Sequence, residues 1–153
     1  LPTLHDLFDA LLDDIEGHIN TAYPAIASGT NKIYRGWPNL ELKWGDVPCA
    51  ILVVGENIQM QPSGNRGEQV NAEVMIIVLL PLPSDKSKNV TMEGLKEADK
   101  LTNLLKSQFV WGDGEWVNSY ITEVGVGPAP LEGSEVHRIV IDFKAEAHVT
   151  LGA

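Results

Sequence analysis

The chain has 153 residues, 44% of them hydrophobic, and 21 acidic against 11 basic side chains give it a formal charge of −10. That is enough apolar material for one domain with a real core, and the acidic balance with scattered Lys and Arg argues against tight binding to a phosphate backbone. The lone Cys49 excludes an internal disulfide and fits a reducing compartment, no run approaches the ~20 apolar residues that span a bilayer, and no signal peptide is visible at Leu1.

Leu4, Leu7, Phe8, Leu11, Leu12, Ile15 and Ile19 recur at the spacing of one helical face. Thr3 stands at the N-cap and Asp6 at the capping-box position, so the spacing predicts an amphipathic helix over 4–20. Asp9, Asp13, Asp14 and Glu16 fall on its solvent side, and Tyr23-Pro24 blocks continuation. Between Ala25 and Pro48 the pattern is broken by turn residues, with short edge strands expected at 32–35 and 40–44. Cys49 to Val54 and Asn57 to Gln61 then face Val70 to Leu80 across the turn-rich stretch Pro62 to Gly67. Together these residues form a hairpin over 49–80 with a projecting tip. The outgoing arm begins alternating and ends apolar on both sides, as a strand buried on both faces would.

A polar connection, Pro81 to Asn89, holds Lys86 and Lys88, the densest basic pair, read as a solvated turn. Thr91 is a candidate N-cap for a second helix whose stripe is Met92, Leu95, Ala98, Leu101, Leu105 and Phe109, ending near Val110. Ser119 to Val126 reads as a strand and Gly127 to Ser134 as a loop. From Val136 to Leu151 the alternation is nearly perfect: His137, Ile139, Ile141, Phe143, Ala145, Ala147, Val149 and Leu151 share one face, and Arg138, Asp142, Lys144, Glu146, His148 and Thr150 the other. A strand with one wet face belongs to an antiparallel sheet. The expected architecture is α+β: one domain over 1–153, an antiparallel sheet of four to five strands, and two helices packed on one face.

Chemistry is sparse. The histidines His5, His18, His137 and His148 lack metal-ligand spacing and are expected to be satisfied structural or surface groups. Cys49 opens an apolar strand, where a buried thiol is ordinary. Asp13, Asp14 and Glu16 do not converge as cation ligands, because neighbouring helical residues diverge by about 100°. Asp113 and Glu115 make a fragment of a calcium loop without its other ligands. Trp111 and Trp116, which flank that turn, either pack on the core or anchor a partner. With Asn65, Arg66 and Glu68 at the hairpin tip, they are the candidate oligomer or partner contacts; no catalytic, cofactor-binding or metal residue is expected.

The N-terminal helix Leu4 to Ile19 comes first in chain order. The hairpin arms Cys49-Ala50-Ile51-Leu52-Val53-Val54 and Ala72-Glu73-Val74-Met75-Ile76-Ile77-Val78 follow. The helix Met92 to Phe109 and the strand Arg138-Ile139-Val140-Ile141-Asp142-Phe143-Lys144-Ala145 complete the series. This order resembles the small tail-terminator, or tail-completion, proteins of long-tailed bacteriophages, which also occur as minor tail proteins of prophages. The likeness spans nearly the whole chain, with the first forty residues matching less clearly in detail and Ala25 to Pro48 standing as a departure. It implies a structural virion protein assembled in the bacterial host cytoplasm. Its homo-oligomeric ring, commonly a hexamer, would cap the tail-tube protein and meet the head–tail connector. It further implies an acidic lumen through which DNA passes without specific binding, no enzymatic activity and no membrane. Two alternatives stay open: a head–tail joining or tail-tube subunit, and a small-molecule-binding or enzymatic α+β domain.

Overall fold

The computed structural model describes residues 1–29, 32–38, 41–64, 67–82 and 89–152. Helix α1 spans Leu4–Ala22 and opens with the expected capping box: Thr3 Oγ1 accepts from the Asp6 amide at 3.1 Å, and the Asp6 carboxylate accepts from the Thr3 amide at 3.3 Å. Leu7, Phe8, Leu11, Leu12, Ile15 and Ile19 are buried, the stripe that the periodicity marks. Tyr23 closes the helix, but Pro24 does not lead into coil. It sits at the first helical position, where a missing N–H costs nothing, and opens the short α2 (Pro24–Ala27).

Six strands follow among the described residues: β1 (Ile33–Arg35), β2 (Cys49–Val54), β3 (Gln59–Ser63), β4 (Gly67–Leu80), β5 (Trp116–Leu131) and β6 (Ser134–Val149). They form one sheet in the order β1-β2-β4-β6-β5, with β3 pairing the first half of β4. Every pairing is antiparallel except β1 with β2. The fold is therefore α+β as expected, with six strands rather than four to five, because the short β1 and β3 both join the sheet. Leu40 lies outside the described residues, and the strand expected at 40–44 does not form over 41–44. A 3-10 turn occupies Trp44–Asp46 instead.

The second long helix, α3, spans Val90–Ser107 and differs from expectation at both ends. Asn89, not Thr91, is the N-cap, its side chain accepting from the Met92 amide at 3.1 Å, and the helix stops before Phe109. Its buried face is Gly94, Ala98, Leu101, Thr102 and Leu105, so Met92, Leu95 and Phe109 stand exposed. Gly94 is a point of close approach to the sheet: a Cβ there would lie 3.3 Å from Val126 Cβ, tighter than most side chains sit, and 3.5 Å from His137 Nδ1.

The strand expected to end at Val126 runs on to Leu131, and the expected loop over 127–134 shrinks to the turn Glu132-Gly133, both with positive φ. Pro128 and Pro130 are tolerated because β5 is an edge strand. Register shifts between Trp116 and Asn118 and between Ile121 and Glu123 break its alternation.

The two faces of the sheet are unlike. The inner face packs against α1, α2 and α3 in one core that includes Ala50, Leu52, Val74, Ile76, Ile141 and Phe143. The outer face is only partly wet. Cys49, Ile51, Ile77, Leu79, Ala129 and Val136 form a second cluster there, covered by Leu42, Val47 and Tyr34. The Trp44 amide donates to the Glu132 carboxylate at 3.3 Å and ties this cover to the β5–β6 turn. The rest of the outer face carries Glu73, Met75, Asp142 and Lys144, with Lys144 Nζ 3.3 Å from Glu73.

Candidate functional site

Of the residues expected to make contacts, Asn65 and Arg66 lie outside the described residues. Glu68 sits in the first turn-proximal residues of β4, half-buried between Pro62 on β3 and Val149 on β6. The tip is tighter than expected, since β3 runs through Pro62 to Ser63 and pairs Ser63 with Gly67.

Trp111 and Trp116 are core residues, not exposed anchors: neither has accessible surface. They bridge each other across the turn, the Trp111 amide donating to Trp116 O at 2.9 Å. The Trp116 indole N–H donates to Leu7 O at 2.9 Å, and that of Trp111 to Ser119 Oγ at 3.0 Å, so both polar atoms are satisfied inside. Edge-to-face contacts of Phe8 with Trp116 and of Trp111 with Phe143, at 5.3 and 5.1 Å, lock the turn onto α1 and β6. Asp113 and Glu115 ride on this turn, and among the described residues no group of three His, Cys, Asp or Glu is placed to hold a metal ion.

The acidic side of α1 is less solvated than its pattern implies. Asp9, Asp13 and Glu16 all bind the guanidinium of Arg35 on β1, with Glu16 at 2.8 Å from Nε. Their i, i+4, i+7 spacing makes one row on the helix. The Glu16 hydrogen bond is the largest influence raising the Arg35 pKa, opposed by partial burial. Asp14 turns the other way and accepts from the Gly112 amide at 2.7 Å and from Gln108 Nε2 at 3.1 Å. Asp13 and Asp14 thus diverge, as neighbouring helical residues should.

His137 also departs from expectation. It is buried on the inner face beneath the first turn of α3, and neither ring nitrogen has a partner among the described residues. Beside it lies a cavity of about 290 Å³ lined by Leu80, Pro81, Glu93, Glu97 and His137. His148 points to the opposite face and bonds Glu146 at 2.7 Å, while His18 bonds Gln108. Cys49 is fully buried in the second cluster, and burial, with Asp46 adding, pushes its thiol up to about 11. It is not poised as a nucleophile.

No protein-family model matches this chain, and no curated protein matches it in sequence. The surface itself points to residues that the sequence pattern concealed. Trp37, just past β1, is 65% exposed, and Phe109 and Tyr120, at the α3–β5 edge, are 77% and 56% exposed. Phe109 had its place in a helical stripe, and only the early stop of α3 reveals it as surface. Among the described residues, no helix is long and apolar enough to cross a membrane.

Proposed function

We propose that this chain is a structural virion protein of a long-tailed phage or prophage, a homo-oligomeric ring that caps the tail tube and meets the head-side connector. The supporting observation is the pairing of a one-sided helix layer with large apolar side chains left exposed at two separate edges, Trp37 near β1 and Phe109 with Tyr120 beside β5. Aromatic side chains are enriched where protein surfaces associate, and Phe109 with Tyr120 make such a pair. The charge of −10 supports a channel that DNA crosses without sticking. We infer a non-catalytic role, since the carboxylates of α1 are committed to Arg35 and to the Trp turn and the thiol is buried.

Electron microscopy and native mass spectrometry of the concentrated protein, with and without purified tail tubes, test this. Closed rings that seat on tube ends are the expected outcome. Rings that stack without limit would favour a tube subunit, and rings that bind a connector but no tube would favour a head–tail joining protein.

One observation favours a second reading, a small-molecule-binding domain: the cavity beside His137, a buried side chain with no partner among the described residues. A thermal-shift screen in which a compound stabilises the wild type but not His137→Phe would shift the assignment.

A further inference from the structure

Trp37 and the cleft between α3 and β5 stand at opposite edges of the sheet as knob and socket, and we propose that they join successive copies of this chain head to tail. The proposal rests on the self-assembly reading above and names its contact. Trp37 follows Gly36, whose amide still bonds Leu52 O at 2.7 Å as the last link of the β1 edge. Gly36 has φ +87°, so the chain leaves the sheet there and the indole stands in solvent. The socket lies beyond the other edge, between the end of α3 and β5. It is a cleft of about 250 Å³, with Phe109, Tyr120 and Lys106 at its walls and Leu105 and Phe143 among its lining. An apolar cavity of about 150 Å³ holds a benzene ring, so this cleft has room for an aromatic side chain. The strand order β1-β2-β4-β6-β5 puts four strand spacings, about 19 Å, between the two edges, so the knob cannot fill its own socket.

Charge agrees with shape. Beside the β1 edge, three carboxylates, Asp9, Asp13 and Glu16, surround the single guanidinium of Arg35, an excess of two negative charges. Lys106 brings the opposite sign to the socket wall. A tryptophan entering an aromatic-walled pocket with complementary charges at the rim has the anatomy of a binding hot spot. Because knob and socket occupy different edges, the contact is heterologous and each copy retains one of each, so it repeats until it closes. A two-fold contact, socket against socket, would set Lys106 beside its own copy and leave Trp37 in water.

Two variants and one cross-link test this. Trp37→Ala and Phe109→Glu should each abolish the oligomer seen for the wild type by light scattering and native mass spectrometry. Monomer melting temperatures should be unchanged, because both positions are exposed. Mixing Trp37→Cys with Tyr120→Cys chains under mild oxidation should give the mixed disulfide in preference to either self-pair; buried Cys49 does not compete. Assembly of Trp37→Ala at wild-type concentrations, or cross-linking of Tyr120→Cys only with itself, would overturn this contact and leave self-assembly standing. A wild-type chain that stays monomeric at every concentration, salt and Mg²⁺ level would overturn both.

Discussion

The inner and outer faces of the sheet show how one alternating pattern produces two kinds of surface. On the inner face every second residue of β4 and β6 meets the helices, and the apolar positions are buried without a gap from Ile139 to Ala147. On the outer face the same strands are dry at one end and wet at the other. There Ile77 and Leu79 are buried beneath Leu42 and Val47, whereas Met75, two residues back on the same face, is 39% exposed. The face of a strand is set by backbone geometry, but what covers that face is set by whichever distant segment folds over it.

The largest expected effect lies on the inner face. Ile141→Asp places an unpaired charge where no water reaches and should cost at least about 4 kcal/mol, whereas the adjacent Asp142→Asn should stay within about 1 kcal/mol. Urea unfolding of both variants measures the difference, and equal midpoints would mean that the assigned strand phase is wrong. On the outer face, Ile77→Ala should cost about 2–4 kcal/mol, because a covered cluster loses packing and keeps a cavity. Met75→Ala should cost well under about 1 kcal/mol. Similar losses at both positions would erase the division between dry and wet ends.

Alkaline titration probes the covered end directly. The buried Cys49 thiol is pushed up to about 11 from its ordinary 9.0. Between those pH values the unfolded chain gives up a proton that the folded chain keeps, so stability falls as pH rises, by up to about 2–3 kcal/mol. Cys49→Ala should flatten this window in pH-dependent melting. A residual slope above pH 10 would remain from Tyr23, whose phenol is also raised, first by burial and then by Glu97. The smallest effect belongs to the solvent-side latch: Arg35→Ala should cost about 1 kcal/mol or less and lose even that at high salt, since its three carboxylate partners are partly exposed.

Much of the fold is legible where the local pattern and the tertiary outcome coincide. The α1 stripe, its capping box and the phase of β6 are of this kind, because each element buries one whole face against a single neighbour. Legibility fails where a neighbour changes the geometry. In β5, Gly125, Gly127, Pro128 and Pro130 carry the signals of a loop, yet the strand persists because an edge position demands fewer hydrogen bonds and β6 pairs it in unbroken register from Glu123 to Leu131. In α3, Met92, Leu95 and Phe109 have core spacing, but the helix packs closely at Gly94 and buries Ala98, Leu101 and Leu105, leaving Met92 and Leu95 outside, and it ends before Phe109. The candidate contacts shifted for the same reason. The sequence leaves Trp111 and Trp116 open to core packing or partner anchoring; Leu7 O, Phe8 and Phe143 enclose them, and Trp37, Phe109 and Tyr120 stand at the surface instead.

The amino-acid sequence alone determined the α+β class, the two long helices, the hairpin from β2 to β4 and the inward face of β6, all of which follow from periodicity and short-range backbone chemistry. Tertiary structure decided what distance along the chain conceals. It placed Arg35 among three carboxylates of α1, which are 19 to 26 residues away. It folded Leu42 and Val47 over the outer face, left His137 buried with no partner among the described residues, and exposed an aromatic residue at one sheet edge and an aromatic cleft at the other. Periodicity reports which side of an element is apolar, whereas burial depends on a second surface that arrives from elsewhere in the chain.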